Sequence, residues 1–442
     1  MIDYLYFQLQ NPWWDNVGAI DKDEKIREFD RLKYQYQPQT ILNTRSVPGD
    51  IHLITGPRQT GKSTAVKLYI RQLLRRKTLA PQSVIYFSCD ALSGEKDVID
   101  LVVEFNKLNN SQRAVIILDE ITSVSNWTAG IKWLADTGLI SKSTLFLMGS
   151  SSINLKKSGE YLPGRRGRGK DIKYLPISFY ELLLIHKQDV EKIPINHRRL
   201  LFKLRKMEAL VKKYHRDFLF SGGFLKNINY GLTESNNDLY IKTLKSELFK
   251  AGKKEDSLRE VIRKILNSLT SQSSYTNIAE EAELGSKNTA IDYLNFLSDS
   301  FFLKEVKFYD LNRQKTILKK NKKFYTIDPY IVWLFEGFVS GNLNFASLHQ
   351  LVGESEMAEN FVASELVKSE QEFFFFQNSR ELDFYLPKRE LGIEVKYKNK
   401  ITSEDLKPLA VTKRKILVSK NTLAIRDDVI IVPAYLFPLI EL

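Results

Sequence analysis

The chain alternates short, uninterrupted apolar runs with longer stretches of helical periodicity. Ile51 to Ile54, Val84 to Asp90, Val115 to Leu118 and Thr144 to Gly149 are the runs. Between them, segments such as Thr64 to Leu74 repeat apolar side chains every three or four positions. Continuous apolar strands suit a parallel sheet covered on both faces, and their alternation with helices predicts a doubly wound α/β fold. From Tyr180 to about Asn267 the pattern turns mostly helical and strongly charged, as expected of a helical lid.

Residues 274–328 change character again. Tyr275 opens a short helix, Leu284-Gly285-Ser286 is a turn, and Lys287 to Leu303 is a longer helix with Ala290, Tyr293, Leu294 and Leu297 on one face. Two short strands, Lys304 to Tyr309 and Lys323 to Ile327, flank the tip Asn312-Arg313-Gln314-Lys315. Helix, turn, helix and a two-stranded basic wing is a winged-helix layout, which serves either DNA contact or protein interaction. Four segments are therefore expected: a P-loop domain over 1–180, a lid over 181–267, a winged-helix domain over 268–340 and a further α/β domain over 341–442.

The first apolar run feeds directly into Gly56-Pro57-Arg58-Gln59-Thr60-Gly61-Lys62-Ser63-Thr64. Strand, Gly-x4-Gly-Lys-Ser and helix is the context that a phosphate-cradling loop requires. The glycines let successive N–H groups and the helix N-terminus face phosphate oxygens. Lys62 is assigned to the β- and γ-phosphates of ATP, and Ser63 to Mg²⁺. Downstream, Val115-Ile116-Ile117-Leu118 runs into Asp119 and Glu120. Asp119 is expected to hold Mg²⁺ and Glu120 to orient the attacking water. Ser150, closing the fourth run, stands where many P-loop ATPases place a γ-phosphate sensor. The glycine–arginine loop Arg165 to Lys170 offers Arg168 as a stabiliser of transition-state charge; solvation or contact with nucleic-acid phosphate is the competing role.

Near the C-terminus, Arg380 to Lys398 reads as a β-hairpin. With its turn at Lys388-Arg389, Asp383 lies opposite Glu394, and Lys396 shares their face, while Leu382, Phe384, Leu386, Ile393 and Val395 take the other. Opposed carboxylates need neutralising, and a divalent metal does that. Asp…Glu-x-Lys on a hairpin is the core of the PD-(D/E)xK nuclease fold. Glu359, on an upstream helix from Ser355 to Lys368, is a third candidate ligand, and a second Mg²⁺ or Mn²⁺ beside a catalytic Lys396 is the expectation. The competing reading is a nuclease-like fold kept for packing or docking, with Lys396 paired to a carboxylate.

Composition narrows the partners. The 442 residues carry a formal charge of +13, with basic residues concentrated at Arg165 to Lys173, Arg198 to Lys213 and Lys315 to Lys323. That distribution favours nucleic acid over a merely solvated basic surface. The single cysteine, Cys89, rules out a disulfide framework and fits a cytoplasmic protein. No apolar run is long enough to cross a bilayer. A homo-oligomer is left open.

These residues together resemble a large family of archaeal and bacterial ATP-binding proteins with an AAA-type P-loop domain, a winged helix and a C-terminal nuclease-like domain. The resemblance rests on Asn11-Pro12-Trp13-Trp14, the P-loop, Leu118-Asp119-Glu120, Gly149-Ser150-Ser151, Leu162-Pro163-Gly164-Arg165-Arg166-Gly167 and Pro176-Ile177-Ser178-Phe179. It continues through Gly222-Gly223-Phe224, Glu359-Asn360-Phe361-Val362, Glu381-Leu382-Asp383-Phe384 and Ile393-Glu394-Val395-Lys396. Leu225 stands where many members have proline. The resemblance implies an ATPase fused to a nuclease-like module, within an α/β architecture of an AAA-type parallel sheet with a helical lid, a winged helix and a restriction-endonuclease-like domain. The residues themselves lead to the expectation of an ATPase acting on DNA, with an ATP-dependent signalling switch as the alternative.

Overall fold

The computed structural model describes residues 4–110, 112–149, 162–345, 352–377 and 380–442. They fall into two compact units, Met1–Leu175 and Pro176–Leu442, so the lid, winged-helix and C-terminal segments expected separately belong to one unit.

In the first unit the strands are β1 (Ile51–Thr55), β2 (Val84–Ser88), β3 (Ala114–Asp119), β4 (Ser143–Gly149) and β5 (Asp171–Lys173). They form one parallel sheet in the order β2-β3-β4-β1-β5. Helices α1 (Lys62–Arg76), α2 (Glu95–Leu108) and α3 (Trp127–Asp136) follow β1, β2 and β3. Every residue of β3 and β4 is buried, which is why these strands read as continuous apolar runs. The fifth strand was not expected; Asp171-Ile172-Lys173 has one buried residue and too little apolar pattern to stand out.

Strand β2 is an edge, and the Asn11-Pro12-Trp13-Trp14 segment closes it. The Asn11 side-chain amide donates to Tyr86 O (3.0 Å) and accepts from Tyr86 N (2.7 Å). Both indole N–H groups donate to Val84 O, at 2.9 and 3.0 Å, and Gln10 Oε1 accepts from Ser88 N. The motif satisfies backbone groups that an open edge would leave for another chain.

The second unit begins with α4 (Phe179–Ile185), α5 (Leu200–Ser221), α6 (Glu234–Lys250) and α7 (Glu255–Asn267). Then come α8 (Tyr275–Glu281), α9 (Lys287–Asp299) and the antiparallel pair β6 (Leu303–Lys307) and β7 (Lys322–Thr326). Ser274 and Ser286 cap α8 and α9, and a small antiparallel pairing of Tyr309–Asp310 with Lys315–Thr316 forms the tip between β6 and β7. Helix α10 (Pro329–Ser340) is apolar almost all round and correspondingly buried. Helix α11 (Glu354–Lys368) leads into β8 (Phe374–Gln377), β9 (Glu381–Leu386), β10 (Leu391–Lys396), β11 (Arg414–Ser419), β12 (Ala424–Arg426) and β13 (Val429–Pro433). These six make a mixed sheet in the order β8-β9-β10-β11-β13-β12.

Two of the sequence motifs meet in one buried polar hub of this unit. Asp328 accepts from Gly223 N (2.8 Å), Tyr330 N (3.0 Å) and Lys368 Nζ (2.7 Å). A Cβ on Gly222, whose φ is +57°, would stand 1.7 Å from Asp328 Oδ1, and one on Gly223 would stand 1.9 Å from Ile177 O. Both glycines are required by close approach. Glu365, pushed up to about 7 by burial against the opposing pull of Lys368, accepts from Phe179 N. Leu225 opens a short helix, Leu225–Tyr230, at the first helical position, where proline and leucine are both tolerated.

Candidate functional site

In the first unit the loop between β1 and α1 forms a cradle. Gly61 takes φ +94° and Gln59 φ +64°, so the chain folds back sharply before the first turn of α1. Gly56 is fixed by packing, since a Cβ there would lie 2.0 Å from Tyr174 O. Thr60 Oγ1 donates to Pro57 O (2.8 Å). Lys62, 7% exposed, donates from Nζ to Gly56 O (2.8 Å) and Pro57 O (2.7 Å), so its ammonium sits over the loop. The positive end of the α1 dipole adds to that charge.

Strand β3 delivers the carboxylates to the same end of the sheet, where ligands bind in open α/β folds. Ser63 Oγ donates to Asp119 Oδ2 at 2.7 Å. A hydroxyl and a carboxylate brought together across 56 residues of sequence are hard oxygen donors suited to Mg²⁺, so the residues fit the ion. Asp119 Oδ1 accepts from Glu120 N (2.9 Å). Glu120 itself takes φ +51°, a strained backbone for a side-chain-bearing residue, of the kind that clusters at functional sites. Burial raises the pKa of its carboxyl, Lys62 lowers it and Asp119 raises it, which places the carboxyl within the electrostatic field of the cradle.

Two residues of this network went unnoticed in the sequence. Tyr86, on β2, donates its hydroxyl to Asp119 Oδ2 at 2.7 Å. Burial first, and then the Asp119 carboxylate, push its pKa up, so it stays a donor. Lys67 lies 3.8 Å from the centre of the Tyr86 ring and pairs with Asp23 at 3.1 Å. The available signal was its position one turn after Ser63, on the buried stripe of α1.

Ser150 lies outside the described residues. Arg168 requires a correction: it is exposed, and it lies at the far end of β1 from the cradle. Its backbone N–H donates to Asp50 Oδ1 (2.8 Å), and a Cβ on Gly169 would meet Ile51 O at 1.9 Å. Strand β5 runs parallel to β1, so the loop entering β5 stands at the N-terminal edge of the sheet, about 15 Å of strand away from Gly56. Its neighbours Arg165 and Arg166 pair with Asp136 and Asp171. Arg168 is therefore not a residue of its own chain's cradle.

In the second unit the hairpin has the register Phe384↔Ile393, Tyr385↔Gly392 and Leu386↔Leu391, which brings Asp383 beside Glu394. Asp383 N donates to Glu394 Oε2 (3.3 Å), and Asp383 Oδ2 accepts from Val395 N (2.9 Å). Glu359, on α11, joins them, but through a residue absent from the expectation. Lys323, on β7, is 1% exposed and places Nζ 3.0 Å from Glu359 Oε1, 2.5 Å from Glu381 Oε1 and 3.0 Å from Asp383 Oδ1. Tyr325 OH donates to Glu359 Oε1 at 2.6 Å. Lys396 pairs with Glu394. Burial would lower the pKa of Lys396, yet Glu394 and Asp383 raise it above the ordinary lysine range, so it is a charged partner and not a neutral base. Among the described residues, no group of three or more His, Cys, Asp or Glu side chains is placed to hold a metal ion. Lys323 thus places its ammonium between two of the residues expected to hold a divalent ion, Glu359 and Asp383.

Comparison with known proteins agrees with the first unit's geometry. Residues 49–183 match the model of an AAA domain family, and this part of the chain is a P-loop α/β fold of that kind. Residues 213–336 match a domain of unknown function, DUF8612, and residues 354–437 another, DUF4143. No curated protein matches the chain. Among solved structures, the ORC2 protein of Aeropyrum pernix in its ADPNP–ADP complexes is similar at 12% identity and TM-score 0.36, over 74% of this chain and 94% of that one. The Walker-type ATPase of Pyrococcus abyssi is similar at 12% identity and TM-score 0.31, over 73% and 97%. Cdc6p of Pyrobaculum aerophilum is similar at 11% identity and TM-score 0.24, over 76% and 96%. Among the described residues no helix is long and apolar enough to cross a membrane.

Proposed function

We propose that this chain hydrolyses Mg²⁺-bound ATP in the cradle of residues 56–64 and applies that hydrolysis to DNA. The observation that carries the ATPase reading is the 2.7 Å hydrogen bond from Ser63 Oγ to Asp119 Oδ2 beside the buried Lys62 ammonium. In this reading Lys62 compensates phosphate charge and the N–H groups at the start of α1 hold phosphate oxygens. Ser63 and Asp119 would hold Mg²⁺, which would supply neutralisation of phosphate charge. Tyr86 and the backbone of Glu120 fix the Asp119 carboxylate, and Glu120 orients water at the γ-phosphate.

The DNA reading rests on α8, α9 and the β6–β7 wing acting as a winged helix. Lys287 and Asn288, at the N-terminus of α9, are exposed, as are Lys315 and Lys319 on the wing. Among the described residues none of these three lysines forms an ion pair, so their charge is available to phosphate. Reversing Lys287, Lys315 and Lys319 to glutamate is expected to weaken duplex binding and to lower the slope of log K against log salt by about three, since each phosphate contact contributes about 0.9. Fluorescence anisotropy across a salt series checks this. Unchanged affinity and slope would assign the winged helix to protein docking instead.

A further inference from the structure

The C-terminal sheet carries the acidic residues of a metal-dependent nuclease in the expected register, yet those residues do not fit a metal. Five of the six carboxylate oxygens of Asp383, Glu359 and Glu394 are already committed. Asp383 Oδ1 faces Lys323 Nζ and Oδ2 accepts from Val395 N; Glu359 Oε1 takes both Lys323 Nζ and Tyr325 OH. Glu394 faces Lys396 on one oxygen and Asp383 N on the other.

Lys323 is also held there firmly. It belongs to β7, whose five residues are all buried and which pairs along its length with β6. Phe324 and Tyr325 are anchored next to it, Tyr325 fully buried against Phe384 of β9 with ring centres 5.4 Å apart. Asn360 on α11 fastens the same strand, accepting from Thr326 N (2.8 Å) and donating to Thr326 Oγ1 (2.7 Å). Removing the ammonium from among three carboxylates would leave like charges buried together, so its place is stable as long as they are ionised.

We propose that Lys323 is the resident cation of this carboxylate cluster. It stands where a divalent ion would sit in a cleavage centre, and it locks the wing strand β7 to α11 and β9. The cluster is then a structural lock between the helix–turn–helix segment and the C-terminal sheet, and not a cleavage centre. This goes beyond the ATPase reading and is independent of it, since neither nucleotide nor DNA enters its test.

The test is Mn²⁺ titration of the full chain, without nucleotide, read by electron paramagnetic resonance. Wild type and Asp383→Asn are expected to bind the same number of ions. Lys323→Met, which keeps an unbranched side chain and removes the charge, is expected to gain one bound Mn²⁺ that Lys323→Met/Glu359→Gln loses. Mn²⁺ should also raise the melting temperature of Lys323→Met and leave that of wild type unchanged. A wild-type Mn²⁺ signal that disappears in Asp383→Asn overturns the proposal, as does a folded Lys323→Met that binds no additional ion. If Lys323→Met does not fold, the comparison of wild type with Asp383→Asn decides alone.

Discussion

Glu120→Gln is expected to leave ATP binding in place and to lower turnover at least about a hundredfold, the scale of removing one group aimed at the reacting centre. Glutamine has the same length and keeps the backbone N–H that holds Asp119, so the left-handed conformation at φ +51° and the Ser63–Asp119 contact persist. What disappears is the carboxylate that orients water. A second consequence follows from burial, which raises the Glu120 pKa above the ordinary glutamate value of 4.5. Turnover in wild type should fall as pH drops through that raised value, because protonation removes the charge. Glu120→Gln should show no such acidic limb. Single-turnover rates with radiolabelled ATP between pH 4.5 and 8 check both; a glutamine variant turning over at the wild-type rate removes Glu120 from the mechanism.

Lys62→Ala should act on a different step. The ammonium is nearly buried, so its interaction with phosphate oxygens is little screened by solvent. Its loss is expected to reduce ATP affinity by about a hundredfold or more, close to 2.7 kcal/mol, which is the range of a hydrogen bond to a charged group. The same ammonium bridges Gly56 O and Pro57 O, so the variant also loosens the cradle. Equilibrium binding of a fluorescent ATP analogue measures the effect. Retained affinity with lost turnover would transfer Lys62 to the role assigned to Glu120.

The sequence disclosed most clearly the features that depend on local pattern. The P-loop, the Asp119–Glu120 strand end and the hairpin register of Asp383 and Glu394 each follow from spacing along one or two strands. What it concealed came from pairings across long separations. Lys323 reaches Glu359 and Asp383 across 36 and 60 residues, and a lysine in a charged strand gives no local sign that it is 1% exposed. Arg168 was misplaced for a related reason. Its nearness to the cradle depends on the direction of β5, a three-residue strand too short to be read from pattern. The Asn11–Trp14 motif was legible as a run shared with the family the chain resembles. That it closes an edge strand through three backbone groups required the sheet order.

ATP turnover is expected to answer to DNA. The most direct measurement is the steady-state ATPase rate of the full chain with and without linear duplex, forked and four-way DNA, across a salt series from about 50 to 200 mM. Stimulation by at least one of these DNAs, lost steeply as salt rises and reduced in the Lys287, Lys315, Lys319 charge-reversed variant, is the predicted result. A rate indifferent to every DNA at every salt concentration would contradict it and favour a nucleotide-governed switch that acts on a protein partner.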